Sequence, residues 1–164
     1  MEDQLLRLDN QVCFAVHAAS RALDGVYRRE LRDLGLTYPQ YLVMLVLWEH
    51  RPGGADGRAL SVKELGEALR LDSGTLSPLL KRLEAAGLVR RDRDRRDERS
   101  VLVGLTPQGA ALRERAGRVP ARIFAATGLD ESEVRHLRQV LTRVTGALDG
   151  ALLEPAAATG VPAR

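Results

Sequence analysis

Residues Ser61–Thr106 read SVKELGEALRLDSGTLSPLLKRLEAAGLVRRDRDRRDERSVLVGLT. Ser61-Val62-Lys63-Glu64 is a capping-box pattern: a serine hydroxyl and a glutamate carboxylate satisfy each other's orphan backbone N–H groups. It predicts a helix from Ser61 to about Leu69. Leu71-Asp72-Ser73-Gly74 reads as a turn, and a second helix is expected from about Gly74 to Ala86. Leu76, Leu79, Leu80 and Leu83 recur at helical spacing on its inner face, and Gly87 is placed to stop it. Pro78 lies close enough to its first turn to be tolerated. Two apolar strand-like runs follow, LVR and SVLVGL, around the arginine-dense tip RDRDRRDER. Helix, turn, helix and basic hairpin outline a winged helix-turn-helix. The fold class is therefore mainly α with a small β-wing.

Such a module implies duplex DNA as a partner. A helix fits the major groove, where each base pair presents a distinct donor and acceptor pattern. Ser73, Thr75 and Ser77 are short hydroxyl side chains at the entering end of the second helix, suited to base edges or phosphates. Lys81 and Arg82 suit backbone phosphates. In the wing, Arg90, Arg91, Arg93, Arg95, Arg96 and Arg99 outnumber Asp92, Asp94, Asp97 and Glu98. An arginine at such a tip matches the strong negative potential of a narrow minor groove. Arg99 is the best placed, with Asp97 two residues earlier on the same face of a strand to orient its guanidinium. Two copies related by a two-fold axis would read a pseudo-palindromic operator.

The flanks are helical. Leu5, Leu8, Val12, Val16, Ala19, Leu23 and Val26 form an apolar stripe within a long helix over about 9–33, with Asp9 or Asn10 as its cap and Gly35 as its stop. A second helix, from about Pro39 to His50, is apolar nearly all round and should be deeply buried. RPGGADGRA, residues 51–59, is a loop by composition. Thr106-Pro107 opens a helical region that Pro120 interrupts. Asp130-Glu131-Ser132-Glu133 begins a last helix, striped by Val134, Leu137, Val140, Leu141, Val144 and Leu148, with acids where the macrodipole favours them. The expected organisation is a single domain over 1–153, with the winged module at about 61–106. Dimerisation helices are expected at about 9–33 and 107–152, and a disordered tail at 154–164. The terminal helices carry more apolar stripe than one small domain needs, which points to burial against a second copy.

Composition narrows the remaining classes. Lys and Arg total 25 against 22 Asp and Glu, a net charge of +3. No apolar run approaches the roughly 20 residues that cross a bilayer. The start, MEDQLLRLDN, lacks the layout of a secretory signal, so a cytoplasmic location is expected. One cysteine, Cys13, excludes a disulfide scaffold. His17, His50 and His136 are scattered without metal-ligand spacing, and no phosphate-binding glycine motif or nucleophilic triad is present, so no metal or cofactor and no enzymatic activity are expected.

Cys13 falls near the start of the first helix, where the partial positive charge of the helix terminus favours a reactive thiolate. The ordinary alternative is a small core residue. Tyr27 follows Cys13 by 14 residues, nearly on the same helical face but about 21 Å further along. Within one straight helix the two cannot touch. Contact would need an antiparallel second subunit.

LDNQVCFAVHAASRALDGVYRRELRDLGLTYPQYLVMLVLWE, together with LSVKELGEALRLDSGTLSPLLKRLEAAGLVRR and DERSVLVGLT, resembles the organic hydroperoxide-sensing repressors of the MarR family over about residues 5–150. The resemblance implies a helical homodimer with winged DNA-binding lobes. In it, Cys13 matches the peroxidatic cysteine, and Tyr27 and Tyr38 match tyrosines that hydrogen-bond it across the dimer. Organic hydroperoxide would oxidise Cys13 to a sulfenic acid. With no second cysteine, the chain resembles the branch in which a low-molecular-weight thiol then forms a mixed disulfide, or the cysteine is overoxidised. Phe14, Val16, Leu42 and Val43 would supply an apolar pocket. Two other functions compete: a MarR-type regulator switched by a small ligand with Cys13 silent, and a thiol peroxidase, which the single cysteine and complete DNA-reading module disfavour.

Overall fold

Helix α2, Tyr38–Glu49, is the element around which the chain packs. Tyr41, Val43, Met44, Leu47 and Trp48 are all buried, as its all-round apolar sequence requires. The computed structural model describes residues 4, 6–50, 59–94, 97 and 100–153. Residues 51–58 of the expected loop, the tail at 154–164, Leu5, Glu98 and the arginines Arg95, Arg96 and Arg99 lie outside the described residues.

The helices are α1 Val12–Glu30, α2, α3 Val62–Leu69, α4 Ser73–Ala85, α5 Pro107–Ala116, α6 Val119–Thr127 and α7 Glu131–Leu153. The strands are β1 Leu60–Ser61, β2 Val89–Arg93 and β3 Val101–Leu105, arranged antiparallel in the order β1-β3-β2. The chain divides into two compact units, Met1–Ala126 and Thr127–Arg164.

The first unit is the winged module with α1, α2, α5 and α6. Ser61 Oγ accepts from Glu64 N at 3.2 Å and Glu64 Oε2 accepts from Ser61 N at 2.8 Å, closing the expected capping box. Arg70 ends α3 in the left-handed region, with φ 55°, and Leu71 N bonds Gly66 O at 2.9 Å. Gly66 is needed there, since a Cβ would stand 2.8 Å from the Leu71 carbonyl. Leu65, Leu76, Leu80, Leu83, Val89 and Val103 join α2 in the core. Gly87, with φ 70°, turns α4 directly into β2.

Helix α5 crosses this core at close range. Trp48 Nε1 donates to the Gly109 carbonyl at 2.8 Å, and a Cβ on Gly109 would overlap the Leu88 carbonyl. Thr106 caps α5 by accepting from Gly109 N at 3.0 Å and donates to Gly87 O at 2.6 Å. Pro120 falls in the first turn of α6 after a break at Gly117-Arg118, so the interruption is a restart, not a kink.

Two expectations at the N-terminus are corrected. Helix α1 begins at Val12; Leu8–Asn10 forms a separate 3-10 turn, and Gln11, not Asp9 or Asn10, is the N-cap. At the other end α1 stops at Glu30. A 3-10 turn over Arg32–Leu34 precedes Gly35, whose φ of 67° ends that turn. The end of α1 is tied to α5 and α6: Arg115 Nη2 donates to Asp33 O at 2.6 Å, and Arg122 pairs with Glu30 at 3.0 Å.

The second unit is essentially α7. Asp130 Oδ1 accepts from Ser132 N at 2.7 Å and Glu133 N at 2.9 Å, and Glu133 Oε2 accepts from Asp130 N at 2.8 Å. Those backbone donors hold the Asp130 carboxyl below its usual range.

Candidate functional site

Cys13 is the second residue of α1, and it is exposed. Its neighbours along the helix are exposed apolar groups: Leu8, Val12, Phe14 and Val16. No described residue of α1 is buried, although its apolar stripe runs from Val12 to Val26. The lone cysteine is therefore not a core residue of this chain.

Tyr27 and Tyr38 come together at the far end of the same helix. Their ring centroids are 4.1 Å apart with planes inclined by 29°, and Tyr41 lies 6.1 Å from Tyr27. A hydrogen bond links the two phenol hydroxyls. Burial, reinforced by the neighbouring phenols of Tyr38 and Tyr41, pushes Tyr27 up to about 12. Burial also raises Tyr38, as does the nearby carboxylate of Asp24, while the bond to Tyr27 opposes the shift. Desolvation raises Tyr41 as well. These phenols stay protonated at neutral pH and act as donors.

α1 runs without a break from Cys13 to Tyr27, so about 21 Å of helix separates them. The two tyrosines meet each other within one chain; the cysteine does not meet them. The expected apolar pocket is likewise not assembled here. Val43 is completely buried and faces the core, whereas Phe14 and Val16 are exposed on α1.

At the other candidate surface, α4 starts at Ser73, not Gly74, because Asp72 caps it. Asp72 Oδ1 accepts from Thr75 N at 2.9 Å and Oδ2 from Thr75 Oγ1 at 3.0 Å, which holds the Asp72 carboxyl below its usual range. The Thr75 hydroxyl proton is thereby engaged, leaving only its lone pairs for a further partner. Ser73, Ser77, Lys81 and Arg82 are exposed. Arg93 is exposed at the outer end of β2.

Asp97 is not on a strand. It belongs to the loop between β2 and β3, where its carbonyl accepts from Ser100 N at 2.9 Å and Asp94 N donates to Ser100 O at 2.9 Å. Asp97 therefore does not act from a strand, contrary to the expectation drawn from its spacing to Arg99. Sequence reasoning also missed an ion pair at the base of the wing. Arg91 donates to Glu84 Oε2 through Nε at 2.9 Å and Nη2 at 2.6 Å, holding the Glu84 carboxyl below its usual range. An acid in the last turn of α4 and an arginine seven residues later, across a glycine stop, was the available signal.

Among the described residues no cluster of His, Cys, Asp and Glu could hold a metal ion, and no helix is long and apolar enough to cross a membrane.

A family model described as transcriptional regulator SarA/Rot matches residues 26–115. The organic hydroperoxide resistance transcriptional regulator of Bacillus subtilis (strain 168) is 44% identical over 136 residues, covering 83% of this chain and 88% of that protein. The HTH-type transcriptional regulator TtmR of Methylorubrum extorquens (strain PA1) is 52% identical over 130 residues, covering 79% of this chain but only 63% of that relative. Among solved structures, reduced AbfR bound to DNA matches with a TM-score of 0.72 and 33% identity, over 90% of this chain and 99% of that one. AbfR is a protein of Staphylococcus epidermidis.

Fold and relatives define the class: a winged-helix regulator of transcription, not an enzyme. The chain belongs to the MarR/SarA family of transcriptional regulators, with strong similarity to an organic hydroperoxide resistance regulator.

Proposed function

We propose that this regulator is a cytoplasmic homodimeric repressor that binds a pseudo-palindromic operator and releases it when organic hydroperoxide oxidises Cys13. The observation that carries the reading is the split site. The thiol and the tyrosine pair sit at opposite ends of one unbroken helix, so two antiparallel copies of α1 would bring each cysteine to the other's tyrosines. The bare apolar stripes of α1 and α7 support the same dimer; Val12, Phe14 and Val16 on α1 and Leu137, Leu141, Val144 and Leu148 on α7 are all exposed.

The chemistry follows from the donors. With one hydrogen bond between them, the two phenols keep one O–H for an incoming anion, which would steady the Cys13 thiolate. The thiolate attacks the outer oxygen of the hydroperoxide, the O–O bond breaks, and the alkoxide leaves as an alcohol after taking a proton. Sulfur is left as the sulfenic acid. A low-molecular-weight thiol then condenses with it, forming a mixed disulfide and releasing water. Either product removes the anion from the tyrosine pair and alters the spacing of the winged lobes. On the DNA side, Ser73, Ser77, Lys81 and Arg82 of α4 serve the major groove, with the lone pairs of Thr75. Arg93, Arg95, Arg96 and Arg99 of the wing, with Asp97 at its tip, serve the adjacent minor groove.

The test measures operator binding before and after cumene hydroperoxide, with and without a small thiol, for wild type and Cys13→Ser. Wild type should release DNA and Cys13→Ser should hold it. Equal release by both would end the redox reading. A second reading, a small-ligand switch with Cys13 silent, is favoured by one feature: a cleft of about 520 Å³ between α2 and α5–α6, lined by Tyr41, Leu45, Trp48 and Arg113.

A further inference from the structure

Arg91 lies on the face of the wing that turns toward the core. In β2 it stands opposite Val103, and directly opposed residues of an antiparallel pair share a face of the sheet. Val103 and Val89, on that face, are buried. This is the side of the wing turned toward the core. The other side carries Arg90 and Asp92, paired with each other at 3.0 Å, with Arg90 lying over Gly104. From the inner side Arg91 reaches the last turn of α4 and closes on one oxygen of Glu84 with two N–H groups. The pair is only partly solvated, with 34% of the arginine and 37% of the glutamate side chain exposed.

Glu84 is also out of place for a helix that meets phosphates. It follows Lys81 by three residues and Ser77 by seven, so it shares their edge of α4. A free carboxylate there would repel the DNA backbone. Bound to Arg91, it instead ties the recognition helix to the wing at the point where Gly87 lets the chain turn. Backbone bonds from Leu88 N to Leu83 O and from Thr106 N to Leu88 O fix the base of the same corner.

We propose that Glu84 and Arg91 form a positioning pair that sets the angle between recognition helix and wing, and that Arg91 is not itself a phosphate contact. The proposal rests on the DNA-binding reading above. Its consequence is selective: the pair matters for a site that must engage helix and wing together, and not for non-specific attachment.

The experiment uses the full-length protein and duplexes selected by the wild type from a random pool, compared with a scrambled duplex of the same composition. If the wild type enriches no sequence, the DNA-binding reading fails, and it fails separately from the proposal. With a selected duplex in hand, Glu84→Ala should weaken that site by about tenfold, the scale of one misread base pair, and leave the scrambled duplex unchanged. Arg91→Ala should lose the same amount without altering the slope of log affinity against log salt, because that slope counts neutralised phosphates. The double variant should be no weaker than either single one, and the swap Glu84→Arg with Arg91→Glu should recover most of the loss. Circular dichroism melting and sedimentation check folding and assembly. Should Glu84→Ala melt early, Glu84→Gln keeps the shape, removes the charge and should give a smaller loss of the same kind. Tighter binding of both duplexes by either Glu84 variant overturns the proposal. So does additive loss in the double variant, or a salt slope reduced by about 0.9 in Arg91→Ala.

Discussion

Tyr27 stacks on Tyr38 at 4.1 Å, and a hydrogen bond links their hydroxyls. The stack joins the last turns of α1 to the first residue of α2, and in the proposed dimer it would present a donor to the partner's thiol. Removing the Tyr27 hydroxyl leaves the rings packed but frees Tyr38 to turn. Tyr27→Phe should therefore slow oxidation of Cys13 by about tenfold, the worth of one hydrogen bond to a charged group. Stopped-flow loss of free thiol against cumene hydroperoxide measures it; an unchanged rate removes Tyr27 from the site.

The same pair fixes an alkaline limit to stability. Tyr27 sits at about 12 in the folded chain against an ordinary 10.0. Between those values the unfolded state has lost its proton while the folded state keeps it, so stability falls as pH rises. Unfolding midpoints in urea should be flat with respect to Tyr27 below about pH 10 and drop from there toward 12. Tyr27→Phe should flatten part of that drop, and a variant with the wild-type slope would contradict the burial of this phenol.

Much of this architecture was written in local sequence. Ser61 and Glu64 cap α3, Thr106 caps α5, Gly87 ends α4, and the apolar run of α2 is buried, each by chemistry that acts within a few residues. What the sequence hid depends on pairing across the chain. Leu60–Ser61 is too short to show an alternating pattern and is a strand only because β3 lies beside it. Asp72 was read as part of a turn because its capping role shows only once α4 begins at Ser73. The cysteine and the tyrosines, and their separation on a straight helix, could be read from the spacing; that α1 is unbroken between them could not.

Of the described glycines, Gly109 leaves the least room for a side chain. A methyl group there would overlap the Leu88 carbonyl, and backbone cannot swing aside as a side chain can. The same residue accepts the Trp48 indole N–H. Gly109→Ala should destabilise the protein by about 3 kcal/mol, at the upper end of overpacking costs. Trp48→Phe should cost less, on the order of 1–2 kcal/mol for the lost bond and smaller ring. Denaturant melts of both variants test the order; a neutral Gly109→Ala would mean α5 can shift off the wing.

The exposed stripe of α7 gives a prediction about assembly. Val144 lies between Leu141 and Leu148 on that stripe, and all three are exposed. Val144→Asp adds a charge to a face that the proposed dimer would bury, where an unpaired carboxylate is strongly unfavourable. Sedimentation should show monomers at concentrations where the wild type is dimeric. Operator affinity should fall with them, since a lone winged lobe engages only half a palindrome. A dimer of undiminished affinity would place the interface elsewhere.

Mixed dimers decide whether thiol and tyrosines meet between chains. One protomer carries Cys13→Ser with both tyrosines intact; the other keeps Cys13 but carries Tyr27→Phe and Tyr38→Phe. Neither homodimer should react at the wild-type rate, because one lacks the thiol and the other lacks its donors. In the mixed dimer the intact Cys13 would face the intact tyrosines of the other protomer, and half of the sites should regain the wild-type rate. Within one chain the unbroken α1 keeps these groups about 21 Å apart, so a tyrosine effect in cis has no direct contact to act through. Purified mixed dimers that react as slowly as the doubly substituted homodimer would exclude the antiparallel pairing of α1. Such a result would leave the stacked tyrosines as packing groups of the α1–α2 corner.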